Sequence, residues 1–231
     1  MLRPLALAKF PHTSDRWDVM AWEMTALDLL EAAGIEVPSR RLVRVGERSV
    51  LVLRRFDRTE SGGRVGYISA MTALGADDGD HRDYADIAAA MLDLSRSPKA
   101  DHHALFDRVV ASIALGNTDD HLRNHGFLAD QGFWRLSPAF DVNPTPDPWR
   151  QRSTTILGAD APPDEAEALL PFADECSLGQ ESARARMLRI GTAISGWRAA
   201  AQRNGVPDSE LTLFAEAIDT RLAALRAVAE G

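Results

Sequence analysis

The spacing of hydrophobic residues divides the sequence into a short mixed region and a long helical one. Residues 5–10, LALAKF, alternate as in a β-strand, and residues 17–30 repeat apolar side chains at steps of three and four, as on one face of a helix. Two further apolar runs, RRLVRV and SVLVLRRF, flank Gly46 and predict a β-hairpin. The first quarter of the chain therefore has the order strand, helix, strand, strand.

Beyond residue 57 the periodicity is mainly helical. Residues 82–95, residues 104–115 and several segments after residue 163 have helical spacing, and a second hairpin is predicted at residues 126–137. We therefore predict an α+β fold with two lobes. The first is a small mixed lobe over residues 1–56, and the second is a larger, mainly helical lobe over residues 57–231.

Composition narrows the class of protein. A chain of 231 residues with 45% hydrophobic side chains is long enough to bury a core, and its single cysteine, Cys176, excludes an internal disulfide framework. Neither a membrane-spanning run nor a secretory signal is recognisable, so we expect a soluble, cytoplasmic protein. The formal charge of −8 argues against broad direct binding to nucleic acid.

Lys9 and Glu23 form the first candidate pair. Glu23 follows Met20 by three positions and precedes Leu27 by four, which places it close to the apolar face of its helix. A buried carboxylate needs a partner, and Lys9 on the preceding strand is the candidate cation. The alternative is that Glu23 lies at the edge of that face and reaches solvent.

A polar cluster, NTDDHLRN at residues 117–124, interrupts the helical pattern. Asp119 and Asn124 lie five positions apart, and Asp141 follows the predicted hairpin. Their oxygens are the hard ligands that suit Mg²⁺ shared with phosphates. Each residue also has a purely structural interpretation, as a cap, a turn former or a residue of a proline-rich loop. The order of elements favours a phosphotransferase, because a Lys strand and a Glu helix precede the loop, the hairpin and the last aspartate.

The sequence resembles the HipA-type serine/threonine kinases, which are the toxins of bacterial toxin–antitoxin pairs. The resemblance covers most of residues 5–148, in the stretches LALAKFPHTSDRWDVMAWE, GIEVP, VLVLRRFDR, GYISAM, ALGNTDDHLRNHGFL and WRLSPAFDVNP. It implies a bilobal protein-kinase-like fold, ATP and Mg²⁺ as cofactors, and phosphoryl transfer to a serine or threonine of a protein. Aminoacyl-tRNA synthetases are known targets in that family.

Matching the motifs residue by residue implies roles in nucleotide binding. Lys9 would hold the phosphates, and Glu23 would be its ion-pair partner. The stretch RRFDR, residues 54–58, would be the hinge between the lobes, where the backbones of Arg54 and Phe56 meet the adenine and Asp57 faces the ribose.

The same resemblance implies roles for the polar cluster. Asp119 would orient the substrate hydroxyl and accept its proton, while Asn124 and Asp141 would hold the magnesium ions. His121 would brace the loop, and Arg123 would contact a phosphate.

The resemblance also implies a partner and a departure from the family. HipA-type toxins are held by a small helix-turn-helix antitoxin of the HipB type, so we expect this chain to reach operator DNA only through such a partner. Family members carry a glycine-rich, phosphate-covering segment before the lysine strand, whereas this sequence has eight residues before Lys9 and no glycine before Gly34. We therefore expect an N-terminally truncated or split family member.

Two alternatives to an active protein kinase follow from these features. A non-catalytic remnant would keep the fold and bind an antitoxin or a nucleotide without turnover. A kinase of small molecules, such as aminoglycosides or sugars, would use a similar loop of His, Asp and Asn followed by a later Asp.

Overall fold

The computed structural model describes residues 5–231, so the first four residues of the predicted small lobe lie outside it. Three small sheets and nine α-helices are found in this range. The strands are β1 (Ala6–Lys9), β2 (Arg40–Val45), β3 (Arg48–Arg54), β4 (Tyr67–Ser69), β5 (Arg82–Asp83), β6 (Gly126–Asp130), β7 (Phe133–Leu136) and β8 (Thr154–Thr155). The helices are α1 (Val19–Ala32), α2 (Ala70–Ala73), α3 (Tyr84–Leu94), α4 (Pro98–Leu115), α5 (Asp164–Glu167), α6 (Leu169–Glu175), α7 (Gln180–Ile194), α8 (Trp197–Arg203) and α9 (Asp208–Glu230).

The first sheet has the order predicted from the alternation. Strand β3 lies between β1 and β2 and pairs antiparallel with both, which places Lys9 opposite Leu51. Helix α1 begins after Asp18, whose side chain accepts the backbone N–H of Ala21 at 3.0 Å and so caps the helix. The sheet and α1 together present Lys9 and Glu23 to each other.

Helix α1 also packs against the C-terminal helices. The Trp22 ring stacks on Phe214 of α9 at a centroid distance of 3.9 Å and lies 5.9 Å from the ring of Trp197 of α8. Its indole N–H donates to Glu210 of α9 at 2.9 Å. Helix α1 is therefore held on two sides, by the small sheet and by the helical bundle.

Helix α4 forms the centre of the larger region. Every residue from Leu105 to Leu115 is buried, whereas the first turn is more exposed, which explains why the apolar periodicity predicts a start at residue 104 and the helix begins at Pro98. Proline is well suited to the first turn, because its missing N–H has no intrahelical partner there. Gly116 ends the helix in the left-handed conformation, with φ of +65°, and the polar cluster follows directly.

The predicted second hairpin is β6 and β7, and it is extended by β4 into a three-stranded antiparallel sheet. A Cβ at Gly126 would clash with the ring of Tyr67, so a larger residue there would force that ring to move. The segment after the hairpin contains no helix until α5, as its prolines predict. Between residues 5 and 231, no helix is both long and apolar enough to cross a bilayer.

Candidate active site

Lys9 joins two carboxylates that come from distant parts of the sequence. Its Nζ lies 2.5 Å from Glu23 Oε2 and 2.6 Å from Asp141 Oδ1. Glu23 is fully buried on α1, and its other carboxylate oxygen has no hydrogen-bond partner among residues 5–231. The structure thus places Glu23 inside, beside Lys9, and the alternative of a solvent-exposed Glu23 is wrong.

The carboxylates around Lys9 shift its pKa, and Lys9 in turn affects the pKa of Glu23. Burial alone would lower the pKa of Lys9, but the negative charges of Glu23 and Asp141 outweigh it and raise that pKa above its ordinary value. Burial raises the pKa of Glu23, and Lys9 counteracts this only in part. Lys9 is therefore a firmly protonated cation whose loss would leave an uncompensated buried carboxylate.

An apolar cleft of about 250 Å³ lies beside this cluster. Its walls come from β1, from β3 and the residues after it, from β4, and from the residue before Asp141. The Phe56 ring lies 5.5 Å from Phe140 and 6.2 Å from Tyr67, so three aromatic rings line one side. Leu7 and Leu53 line the cleft as well. A flat heteroaromatic ring fits such walls, because stacking and apolar contact need no fixed polar partner.

Four of the five residues of the predicted hinge, 54–57, line the same cleft, and Arg58 does not. The backbone N–H of Arg54 is committed to Ser39 O at 2.8 Å, whereas the backbone of Phe56 makes no hydrogen bond within the described part of the chain. Among residues 5–231, the backbone polar groups of Phe56 thus have no partner, whereas the Arg54 N–H is already bonded.

The carboxylate of Asp57 is already occupied by arginines. Arg55 donates to it at 2.8 and 2.6 Å, and Arg58 donates at 2.6 Å. These hydrogen bonds and charges, that of Arg55 first, lower the pKa of Asp57. A ribose hydroxyl that donates to Asp57 would have to share the carboxylate with these two arginines.

The polar cluster folds into a tight loop that ends in a 3-10 turn, Leu122–Asn124. Asp119 is exposed, and its only side-chain hydrogen bond among the described residues comes from Ser153 Oγ at 3.4 Å. Asn124 donates its side-chain N–H to the backbone oxygen of Asp119 at 3.2 Å, which turns its amide oxygen the other way. The backbone of His121 closes the loop by donating to Asp119 O at 3.1 Å and accepting from Asn124 N at 2.8 Å.

The Arg123 side chain forms its ion pair outside the polar cluster. It pairs with Asp78 at 2.5 Å, and both side chains are more than half exposed. The His121 ring lines the same surface cavity as Asp78, and its Nδ1 has no partner within residues 5–231. The structure therefore brings Lys9, Glu23 and Asp141 into contact and ties Asn124 to Asp119, while Arg123 is engaged elsewhere.

Asp141 has an unusual backbone conformation for a residue other than glycine, with φ of +59°. Its Oδ1 accepts Lys9 and the side-chain N–H of Asn143, the latter at 3.1 Å, and its Oδ2 has no partner among the residues described. Asn143 is in turn fixed by its backbone N–H, which donates to Asn117 Oδ1 at 3.0 Å. This last bond ties the Asp141 segment to the loop of Asp119.

The free oxygens fit a magnesium ion that is shared with phosphates. The unpartnered Oδ2 of Asp141 and the amide oxygen of Asn124 are hard ligands, and Mg²⁺ in such sites takes few protein ligands and completes its shell with phosphate and water oxygens. Residues 5–231 contain no cluster of three His, Cys, Asp or Glu side chains able to hold a metal by themselves. The type of donor suits Mg²⁺, and water or phosphate oxygens would have to complete its shell.

Behind the loop lies a buried network that the sequence did not reveal. Asp120 accepts hydrogen bonds from Tyr84 Oη at 2.6 Å, Ser112 Oγ at 3.0 Å and His125 Nε2 at 3.0 Å. Burial alone would raise the pKa of Asp120, but His125 and these hydrogen bonds outweigh it and lower that pKa. The adjacent aspartates thus differ completely, since Asp119 faces solvent and Asp120 anchors the loop. The spacing of Asp120 and His125, five positions apart, was the available signal.

A second buried cation fixes the start of the loop. Arg152 donates to the backbone oxygen of Asn117 at 3.3 Å and to Glu165 at 2.7 Å, and Glu165 also accepts from Arg221 of α9 at 3.1 Å. All three charged side chains are at most 1% exposed. The loop is therefore rigidly supported by α5 and α9, which explains how an exposed Asp119 keeps a defined position.

Comparison with solved structures identifies the fold. HipA of Shewanella oneidensis MR-1, solved with HipB and operator DNA, matches with a TM-score of 0.74 at 19% identity, over 97% of this chain and 57% of its own. The proinflammatory kinase CtkA of Helicobacter pylori matches with a TM-score of 0.65 at 16% identity, over 98% of this chain and 88% of its own. The predicted α+β, bilobal, kinase-like fold is thereby confirmed.

Sequence comparison gives a consistent result. A Haemophilus influenzae protein named "Putative kinase" is 27% identical over 143 residues, which are 54% of this chain and 42% of that protein. The chain thus spans about two fifths of this relative and 57% of the Shewanella HipA chain.

A family model covers most of the chain. The model of the HipA-like C-terminal domain matches residues 3–197, a range that includes Lys9, Glu23, the whole polar cluster and Asp141. The protein belongs to the family of HipA-like C-terminal domains.

Proposed function

We propose that the protein is a HipA-type protein kinase, which transfers the γ-phosphoryl group of Mg-ATP to a serine or threonine of another protein. The observation that carries the proposal is the contact of Lys9 with both Glu23 and Asp141, beside an apolar cleft that suits adenine. A buried glutamate that fixes a lysine against a metal-binding aspartate is the arrangement that phosphoryl transfer needs. In this proposal the lobes divide near residue 56, and the cleft lies between them.

Each residue of the cluster would act by position and charge. Glu23 fixes Lys9, and Lys9 places a positive charge where the phosphates of the nucleotide enter. Phe56, with its free backbone groups, meets the adenine at the hinge. Asn124 and Asp141 would hold Mg²⁺, which would supply positive charge for the transferring phosphoryl group.

The transfer step is a displacement at the γ-phosphorus. The substrate hydroxyl oxygen forms a bond to that phosphorus, the bond to the bridging oxygen breaks, and ADP leaves with its electron pair. Asp119 orients the hydroxyl and accepts its proton. A single such group contributes on the order of 10²- to 10⁴-fold, and the surrounding charges supply much of the remainder.

We also propose a protein partner, which the comparison supports. The Shewanella relative was solved with HipB and operator DNA, and the present chain has a formal charge of −8, which disfavours direct contact with phosphates. We therefore assign any DNA association to a small DNA-binding antitoxin. A mobility-shift assay with operator DNA tests this, since the chain alone should cause no shift at physiological salt and should cause one once the antitoxin is added.

The test of the kinase activity is transfer of radiolabel from ATP, with Mg²⁺, to a mixed set of serine and threonine peptides and to proteins of a bacterial lysate. We expect label on serine or threonine after acid hydrolysis and loss of at least about 100-fold in the Asp119→Asn variant. The matched control is Asp93→Asn on α3, which is equally exposed and lies outside the cluster.

Three results would count against the proposal. Equal labelling by Asp119→Asn and the wild type would remove Asp119 from its role. Label on a sugar or an aminoglycoside instead of protein would identify a small-molecule kinase. Nucleotide binding without any transfer would identify a non-catalytic member of the family.

A further inference from the structure

Asp119 lines a second cavity that is separate from the apolar cleft. This cavity measures about 100 Å³ and shares no lining residue with the cleft. Its wall combines side chains from α1 and the residue before its cap, from the loop of Asp119, and from the segment after Asp141. The members used below are Trp17, Thr118, Asp119, Asn143 and Arg150.

Two polar atoms of this wall are buried without a hydrogen-bond partner. They are Thr118 Oγ1 and Asn143 Oδ1, and neither is satisfied by any residue in the range 5–231. The orientation of the Asn143 amide is set, because its nitrogen donates to Asp141 Oδ1 at 3.1 Å. Buried polar atoms in native proteins are almost always paired, so an unpaired acceptor and an unpaired hydroxyl in one cavity indicate a bound group. A hydroxyl fits both, since it donates one hydrogen bond and accepts others.

The size and the apolar part of the wall limit what carries that hydroxyl. A cavity of about 100 Å³ has room for several water-sized groups. The half-buried Trp17 ring, held edge-on against Phe214 at 5.5 Å, adds an apolar side to the cavity. A short side chain with an aliphatic stem and a hydroxyl suits this space.

An arginine without a partner stands at the rim. Arg150 is exposed and forms no ion pair within the described part of the chain. The nearby Asp147 is turned back onto its own segment, where it accepts the backbone N–H of Trp149 at 3.0 Å.

The segment that carries Arg150 is fixed against the loop of Asp119. Ser153 N donates to Thr118 O at 2.8 Å, and Thr154 Oγ1 donates to Asp120 O at 2.6 Å. The backbone around Arg150 is therefore held in place, while its guanidinium group remains available to an anion.

We propose that this cavity binds the acceptor residue of the protein substrate and that Arg150 selects substrates with a carboxylate near that residue. Thr118 and Asn143 hold the serine or threonine hydroxyl in front of Asp119, and Arg150 pairs with an aspartate or glutamate a few positions away in the substrate. This inference rests on the proposed kinase function and specifies its substrate class.

The test is a positional peptide library in which every peptide contains one serine and one aspartate, lysine or alanine at a defined distance from it. Initial rates with radiolabelled ATP are compared for the wild type, Arg150→Glu and Arg203→Glu. Arg203 is the matched control, because it is exposed on α8 and lies outside the cavity. Circular dichroism of each variant verifies that the fold is retained.

At one or more positions the wild type should favour aspartate over lysine by about fivefold or more in kcat/KM, the scale of a partly exposed ion pair. Arg150→Glu should reverse that preference, and Arg203→Glu should keep it. An unchanged preference in Arg150→Glu, or no charge preference in the wild type, would overturn the inference while leaving the kinase activity in place. If the wild type phosphorylates no serine at all, in peptide or protein, the proposed function fails and the inference fails with it.

Discussion

Lys9 and Asp141 are 132 positions apart in the sequence, yet their charged groups lie 2.6 Å apart. The contact joins the edge strand of the small sheet to the segment that follows the β6–β7 hairpin. Because Glu23 shares the same lysine, one cation holds together a strand, a helix and a loop. The stability of the fold and the geometry of the site therefore depend on the same side chain.

Replacing Lys9 by glutamine should lower the free energy of unfolding by about 3–5 kcal/mol at neutral pH, because Glu23 would be buried without its cation. Burial already raises the pKa of Glu23, so the penalty should grow as pH rises above the ordinary range of glutamate, about 4. Urea unfolding at pH 5 and pH 8 measures this. The variant should lose more stability at pH 8.

Two further variants test whether the unpaired Glu23 causes the loss of stability in Lys9→Gln. Lys99→Gln removes the only other lysine, which is exposed, and should change stability by less than about 0.5 kcal/mol. Adding Glu23→Gln to Lys9→Gln should restore most of the lost stability without restoring activity. A double variant as unstable as the single one would show that Glu23 is not the reason for the loss.

Asp120→Asn should destabilise the protein by about 3 kcal/mol at pH 7, because a buried carboxylate with charge-assisted hydrogen bonds is lost. The pKa of Asp120 is lowered in the folded state, so its contribution is present above the unfolded pKa of about 4 and is lost as pH falls towards the folded value. The gap between wild type and variant should therefore narrow from pH 4 to pH 2. The adjacent, exposed Asp119→Asn is the control and should unfold like the wild type at every pH.

Thr118→Val should stabilise the protein by about 1 kcal/mol and reduce its activity. The exchange removes a buried hydroxyl without a partner, whose burial is costly, and keeps nearly the same volume. If that hydroxyl serves the acceptor residue, KM for a serine peptide should rise. Thermal unfolding and initial rates measure the two effects. A loss of stability in Thr118→Val would mean that the hydroxyl already has a partner in the folded chain.

Leu7→Asp should weaken ADP binding by about tenfold, because an apolar wall of the cleft becomes charged. Leu7 is 48% exposed, so the fold should tolerate the change. Leu5→Asp, directly before the same strand, provides the control, since Leu5 is 55% exposed and does not line the cleft. Titration calorimetry with ADP compares the three proteins. Equal affinity in all of them would place the adenine elsewhere.

The sequence predicts those parts of the molecule that are determined by residues close together in the chain. The first sheet with α1 and the β6–β7 hairpin follow from periodicity and turn residues, and Lys9 with Glu23 follows from one polar residue on an apolar face. The contact of Lys9 with Asp141 was not derivable from spacing, because it depends on how two distant segments pack. Resemblance to the HipA-type kinases supplied the residue roles, which remain predictions.

Most of the features that the sequence did not predict are hydrogen bonds and ion pairs of buried charged residues. Nothing in the sequence distinguishes the adjacent residues Asp119 and Asp120. They differ in the fold because Asp120 is bonded to Tyr84 and His125, whereas Asp119 is exposed. Arg152, Glu165 and Arg221 resemble solvent-facing charges on helices and loops, yet they are among the most buried groups. Charged residues are rarely buried, so sequence reasoning places them outside by default.

The double attachment of α1 limits how the cleft can open. A hinge motion that carried this helix away with the small sheet would have to separate Trp22 from Phe214 and break its hydrogen bond to Glu210. Opening of the cleft therefore costs less free energy if the strands of the small sheet move relative to α1 and α1 keeps its contacts with α9. In such a motion Glu23 would keep its place on α1 while Lys9 moved with β1, so the distance between these two side chains would report how far the cleft is open.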